Sequence, residues 1–159
     1  MGKILMINPD KCSSCKTCEL ACSFYHEQEF NPAKSRIHAL TWERFGVGIP
    51  IMCMHCDEAL CMEVCVVDAI YYDESTNAVL VDHDRCLGCK LCVSACPFGN
   101  ITYNTDSKKI IKCDACGGDP QCVKMCPSEA IDYIEDNSVN LSKKKIAAEK
   151  FKDLFEGVK

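Results

Sequence analysis

The sequence predicts an α+β chain built from two copies of one small cysteine-bound unit, followed by an amphipathic helix. Three observations predict this. Sixteen of the 159 residues are cysteine, in four groups of four that each close with Cys-x3-Cys. Residues 7–22 align without gaps on 81–96, and the second group aligns on the fourth with one residue more between its second and third cysteines. From Leu141 onward the chain contains no cysteine and adopts a helical apolar period.

The groups are Cys12, Cys15, Cys18 and Cys22; Cys53, Cys56, Cys61 and Cys65; Cys86, Cys89, Cys92 and Cys96; and Cys113, Cys116, Cys122 and Cys126. Three closely spaced thiolates can wrap one face of a cubane iron–sulfur cluster while the fourth reaches a neighbouring cluster. No cysteine is left over, so the count predicts four [4Fe-4S] clusters and a chain that carries electrons. Other uses of cysteine fit less well. A disulfide framework belongs to oxidising compartments and follows a signal peptide, whereas the first apolar run is only Ile4 to Ile7. Zinc favours paired Cys-x2-Cys, which groups two and four could imitate, but the triple spacing of groups one and three suits it poorly. No Cys-x2-Cys pair is followed by the histidine of a c-type haem site. The Cys-x3-Cys-x2-Cys order of radical enzymes also fails, because Tyr25, Asp68, Gly99 and Glu129 stand where its last cysteine would be.

Units of this size bury too little apolar surface to hold themselves together, so the clusters must serve as core. The formal charge of −5 falls to about −13 once each oxidised cubane adds about −2. That balance excludes nucleic acid as a partner and suits docking to a basic patch on a redox protein. No stretch reaches the ~20 apolar residues of a membrane span, position 6 lacks the hydroxyl of a myristoylation site, and no twin arginine appears, so the expected address is cytoplasmic. Export on a partner's signal stays open.

In chain order, Ile4 to Ile7 predicts a short strand leading into the first cysteine loop, and each Cys-x3-Cys a brief helical turn. Fourteen or so residues between about 24 and 50 have no counterpart in the second copy. Within them His38 to Glu43 alternates as an exposed strand. Trp42, the only tryptophan, is expected to pack over a cluster or to serve as a partner's hot spot. Lys34, Arg36 and Arg44 are read as solvated charges, with a partner carboxylate as the alternative. Strands are expected at Ala69 to Tyr72, Val79 to Asp82 and Ile131 to Ile134, with turns at Asn77-Ala78 and Asn104 to Lys108. Gly88, Gly117 and Gly118 serve either as plain turn residues or to bring N–H groups onto cluster sulfurs. His26, His38, His55 and His83 are given no chemical role, because no ligand position is vacant. After Ser142 as cap, Ile146, Ala147, Lys150, Phe151, Leu154, Phe155 and Val158 share a helix face that needs a docking surface, either the chain's own body or another subunit.

The order Cys-x2-Cys-x2-Cys-x3-Cys, then Cys-x2-Cys-x4-Cys-x3-Cys, then the first type again with Pro97, then a variable fourth motif, resembles the four-cluster electron-transfer subunits of molybdenum and tungsten oxidoreductases. The resemblance covers residues 3–134 and implies that motif one pairs with motif four and motif two with motif three. One cluster would then take Cys12, Cys15, Cys18 and Cys126, and its neighbour Cys22, Cys113, Cys116 and Cys122. The other pair would take Cys53, Cys56, Cys61 and Cys96, and Cys65, Cys86, Cys89 and Cys92. This nesting implies two bacterial-ferredoxin-like dicluster domains, one discontinuous over 1–45 and 105–136 and one over 46–104, with 137–159 as a docking helix. Ser23 and Val66 stand where simpler ferredoxins place proline. The compact length, the segment Phe30 to Ile37 and the C-terminal helix look most like the small ferredoxin-like subunit accompanying tungsten-containing aldehyde oxidoreductases.

The resemblance implies no catalysis by the chain itself. It implies a relay of single electrons between a catalytic tungsten or molybdenum pterin subunit and a distant acceptor, such as a flavin- or NAD-binding subunit or a ferredoxin. Neither Gly-x-Gly-x-x-Gly nor a Walker sequence is present, and Gly46-Val47-Gly48 is too short to count. A free polyferredoxin shuttle, a subunit of a hydrogenase or carbon monoxide dehydrogenase, and self-association of copies into a longer wire are the alternatives.

Overall fold

The computed structural model describes residues 2–135. The expected C-terminal helix over 137–159 lies outside the described residues. Strand β1 (Lys3–Ile7) pairs antiparallel with β8 (Ile131–Glu135), Ile7 opposite Ile131, so the first and last motifs are drawn together. A one-turn 3₁₀ segment, Pro9–Lys11, is capped by the Asn8 side chain, which accepts from the Asp10 N–H at 3.2 Å. Helix α1 (Thr17–Glu27) starts from Lys16 in the left-handed region and stops when Gln28 takes the same conformation. It runs well past the single turn expected from Cys-x3-Cys. Its buried face, Cys18, Glu19, Cys22 and Ser23, follows the helical period.

The residues absent from the second copy continue through a second 3₁₀ turn, Pro32–Lys34, and form a hairpin of β2 (Ile37–Trp42) and β3 (Val47–Met52), turned through Gly46 at φ +64°. The exposed strand expected at His38 to Glu43 is thus half buried: Ile37 and Ala39 are inside, whereas Leu40 and Trp42 face solvent. Trp42 is 46% exposed and lies opposite Val47 at the turn end of the hairpin. Strand β3 was not expected, because Gly48 and Pro50 read as breakers. In a two-stranded sheet each strand is an edge, and Pro50 is tolerated there while packing fully buried.

Two further hairpins form the other unit. Strands β4 (Ile70–Asp73) and β5 (Ala78–Val81) close on the Asp73 carboxylate, which accepts from Thr76 N–H at 3.2 Å, and on Asn77 at φ +55°. Strands β6 (Ile101–Asn104) and β7 (Lys109–Lys112) close on Asn104, whose Oδ1 accepts from Asp106 and Ser107 N–H. Short helices α2 (Leu60–Glu63) and α3 (Leu91–Ala95) pack together in this unit, as α1 packs on α4 (Gln121–Lys124) in the other.

Two cores result. One gathers Cys18, Cys22, Ile37, Ala39, Met52, Cys122 and Ile131; the other Ala59, Ile70, Val79, Cys92, Ile101 and Ile110. Domain boundaries expected at 45/46 and 104/105 fall inside the β2–β3 and β6–β7 turns. Pairing keeps β3 with β2 and β7 with β6; Met52, the last residue of β3, packs in the first core, and Ile110 of β7 in the second. Asn100 Nδ2 donating to Met52 O at 2.7 Å and Tyr133 Oη donating to Thr76 O at 3.3 Å join the two units.

Candidate metal centres

All sixteen thiols lie within the described residues and none is in a disulfide. Cys12, Cys15 and Cys18 converge where the first loop enters α1. Burial, then Glu19, then the neighbouring Cys15 and Cys12 push the Cys18 thiol up to about 12. Cys126 packs against the same core as Cys18 and accepts from Ala130 N–H at 3.2 Å. A second gathering joins Cys22 to the fourth motif. Burial raises the Cys122 thiol, and Cys113, Cys22 and Cys116 add to the rise. Cys113 rises to about 12 and Cys116 to about 11, each chiefly through burial. Arg36 N–H donates to Cys22 Sγ at 3.3 Å.

In the other unit Cys53, Cys56, Cys61 and Cys96 line one cavity of about 150 Å³. Burial raises the Cys56 and Cys61 thiols, while the nearby Lys112 opposes the rise. Cys92 is pushed up to about 11 by burial and then by Cys86, Cys61 and Cys89. Cys65 packs on the core that includes Cys92. Desolvation works against its ionisation, but N–H groups of Val67, Ala69 and Ile70 outweigh it and lower the thiol. Thiols raised by burial and by one another resist ionisation when empty-handed, and a bound cation reverses that cost, so metal loading and folding are coupled.

The loops carry a repeated backbone signature. Ser14 (φ +57°) and Gly88 (φ +66°) occupy matching positions, as do Lys16 (φ +60°) and Lys90 (φ +66°), His55 (φ +45°) and Ala115 (φ +51°), and Asp68 (φ +48°) and Glu129 (φ +51°). Successive left-handed residues wrap N–H groups around a concavity, which suits an anion. Gly88, Gly117 and Gly118 all have positive φ, and Gly117 N–H goes to Asp114 O at 3.1 Å, a turn role. N–H groups that reach sulfur come from non-glycine residues, among them Arg36, His55, Ala69 and Ala130.

Four side chains the sequence did not single out, or read as solvent-exposed, complete the surroundings. Glu19 is buried and its Oε1 accepts from Ala39 N–H at 2.7 Å, tying β2 to α1. Arg36 is not a solvated charge: it donates to Asp114 Oδ2 at 3.2 Å and to His26 Nδ1 at 2.6 Å. Although His26, Asp114 and Cys116 approach one another closely, the guanidinium among them makes the cluster a clamp rather than a cation site. Burial, then Arg36, holds His26 down at about 4. Lys34, by contrast, pairs with exposed Glu29 at 2.7 Å, as a surface charge would. Lys112 is 6% exposed and lines the cavity of Cys53 together with His55. Burial, then Lys112, lowers His55 to about 4.

These features test whether an iron–sulfur group fits. The donors are sulfur alone, which suits iron–sulfur clusters or zinc. A single zinc ion drawn between four thiolates at about 2.3 Å leaves no room, whereas the Cys53 cavity is roomy and carries a buried ammonium and the Nε2 of His55, unpartnered among the described residues. A large anionic group meets both requirements, and an iron–sulfur cluster is one.

Comparison with known proteins agrees. The profile described as a 4Fe-4S dicluster domain matches residues 45–136, and one described as a 4Fe-4S binding domain matches residues 9–25. The chain belongs to the 4Fe-4S dicluster family. Among its relatives in that family is the polyferredoxin-like subunit of aliphatic sulfonate oxidoreductase from Pyrococcus furiosus, 42% identical over 94 residues, covering 58% of this chain and 53% of that one. The B subunit of anaerobic dimethyl sulfoxide reductase from Escherichia coli is 34% identical over 120 residues, covering 68% and 58% respectively. Hydrogenase-4 component A of Escherichia coli is 36% identical over 102 residues, covering 64% and 48%. The chain thus spans about half the length of these curated relatives. A solved chain of the active site complex BamBC of benzoyl coenzyme A reductase with 1,5-dienoyl-CoA superposes with a TM-score of 0.50 at 26% identity over 86% of this chain and 79% of that one. Among the described residues no helix is long and apolar enough to cross a membrane.

Proposed function

We propose that the chain is a non-catalytic electron-transfer subunit holding four [4Fe-4S] clusters and passing single electrons between a catalytic oxidoreductase subunit and a distant acceptor. The observation that supports this is that β1 pairs with β8 while α2 packs on α3, an arrangement that would give each unit eight thiols from two motifs. The ligand sets are Cys12, Cys15, Cys18 and Cys126; Cys22, Cys113, Cys116 and Cys122; Cys53, Cys56, Cys61 and Cys96; and Cys65, Cys86, Cys89 and Cys92. The matched positive-φ residues and the paired contacts Ala69 N–H to Cys65 and Ala130 N–H to Cys126 support an internal duplication as the source of the two dicluster units.

When bound, the clusters supply one-electron oxidation and reduction. The protein's residues hold the thiolates, keep water away from Cys18, Cys22, Cys92 and Cys122, and direct N–H groups at sulfur, which favours the reduced, more negative state. The names of the relatives support an oxidoreductase complex as the setting. A pterin enzyme of tungsten or molybdenum, of the aldehyde-oxidising kind, is the proposed partner, and a flavin, NAD or ferredoxin component the proposed acceptor in the cytoplasm. The likeness to hydrogenase-4 component A favours a second reading, a hydrogenase subunit. Anaerobic purification with bound partners and metal analysis decides between them. Stoichiometric tungsten or molybdenum supports the first, nickel supports the second, and iron alone with no partner points to a free shuttle.

A further inference from the structure

The chain crosses between the two cores twice, and the two crossings carry different side chains. Met52 and Lys112 each immediately precede the first cysteine of a motif, Cys53 and Cys113, and so occupy equivalent places in the repeat. Met52 is 2% exposed and packs into the core that contains Cys22 and Cys122. Lys112 turns the other way, into the cavity lined by Cys53, Cys56, Cys61 and Cys96. Its Nζ donates to Val79 O and, at 3.5 Å, to Cys113 O, and it lies 3.5 Å from His55 Nδ1. Because His55 Nδ1 accepts from Val79 N–H at 3.1 Å, the ring proton sits on Nε2, which has no partner among the described residues. One crossing is therefore apolar, while the other brings a buried cation and a spare N–H donor to the wall of a cysteine cavity. Lysine is rarely buried without a charge to answer, and the partners of Lys112 among the described residues are carbonyls and a neutral ring.

We propose that Lys112 raises the reduction potential of the cluster held by Cys53, Cys56, Cys61 and Cys96, making that cluster the place where an electron rests as it passes between the two units. The proposal rests on the ligand sets given above. Reduction adds one negative charge to the group in the cavity, and a fixed ammonium out of reach of solvent screening favours the more negative state. One electron leaves a reduced neighbouring cluster, which is oxidised, and enters this one; no proton need move. The environment of Cys113, whose neighbours include Cys53, makes the two crossing sites adjacent, so their difference in potential bears directly on transfer between units.

The test is a redox titration of the anaerobically loaded full chain, followed by electron paramagnetic resonance with iron per chain measured on every sample. Lys112→Met, which copies Met52, and Lys112→Gln should each lower the equilibrium constant for reducing one cluster about tenfold or more, ~59 mV per tenfold for a one-electron couple. The other three should move less, the cluster that includes Cys113 most among them because Lys112 also reaches Cys113 O, and Lys112→Arg should retain most of the wild-type value. Cys56→Ser identifies the signal by altering it. With iron content intact, equilibrium constants for reduction within about twofold of wild type, or a shift in a signal that Cys56→Ser leaves alone, would overturn the proposal. So would loss of the cluster from all three lysine variants, which would make Lys112 a packing residue. A wild-type chain with too little iron for four clusters would instead refute the ligand sets themselves.

Discussion

In the unit closed by β1 and β8, buried polar groups tie an inserted hairpin to the cysteine loops: Glu19 holds Ala39 N–H, Ser23 Oγ accepts from Asn31 N–H at 3.2 Å, and Arg36 clamps Asp114. In the unit of β4 to β7 the matching positions are Val93 for Glu19 and Pro97 for Ser23, no insertion needs holding, and the buried charge is Lys112 on β7. The same loop geometry, marked by the same left-handed positions, serves both. What differs is what the chain adds around the sulfur. An insertion brings backbone N–H groups into a buried place, and each must find an acceptor. The unit without it can devote its interior to apolar packing and a single cation.

The comparison breaks most completely if the metal is removed. Chelation under reducing conditions should abolish nearly all secondary structure in both units, because the cysteines themselves form much of each core. Circular dichroism with iron analysis checks this, and a folded apoprotein would contradict it. Next in size is Gly48→Val. A Cβ at Gly48 would strike Ser14 Oγ and come within 3.3 Å of Cys12 Sγ, so the larger side chain should cost about 2–4 kcal/mol and impair loading at the first motif. The β4–β7 unit should load normally, as read by iron per chain.

Glu19→Ala leaves the buried Ala39 N–H without its acceptor and should cost about 1–3 kcal/mol by denaturant titration. The reverse change in the other unit, Val93→Glu, offers no such N–H and should destabilise without gain. Acid sharpens the comparison. His26 and His55 are held near 4, below the ordinary 6.5, so the unfolded chain takes up more protons between those values. Stability is therefore full above about 6.5 and falls as pH drops toward about 4, by about 1–3 kcal/mol for each histidine. His26→Phe should remove the part of that slope belonging to the hairpin-bearing unit, measured by stability at successive pH values. The smallest effect is expected at Thr17, whose hydroxyl lies 3.3 Å from Cys15 Sγ: Thr17→Val should lower one cluster's potential by less than the tenfold change expected at Lys112.

Much of this was legible in the sequence. Cysteine spacing marked every thiol, the alignment of 7–22 on 81–96 anticipated the matching loops, and the turns at Asn77 and Asn104 to Lys108 stood where Asn and Asp favour them. Strand β3 was hidden because Gly48 and Pro50 signal a break, and only pairing with β2 overrides that. Arg36 and Asp114 are 78 residues apart, a meeting no local pattern encodes. Lysine is ordinarily a surface residue, so Lys112 carried no warning of burial. A signal was nevertheless available: at two places where the repeat exchanges a charge for an apolar residue, Glu19 against Val93 and Met52 against Lys112, the structure places a buried polar contact.

The central claim is that sixteen thiols in two nested sets hold four cubanes. Iron and acid-labile sulfide, measured together on the anaerobically purified chain and joined to an electron paramagnetic resonance spin count on full reduction, test it most directly. About sixteen iron, about sixteen sulfide and four spin systems per chain are the result this account predicts. Zinc in place of iron, or iron and sulfide sufficient for only two clusters in an intact, folded chain, would contradict it.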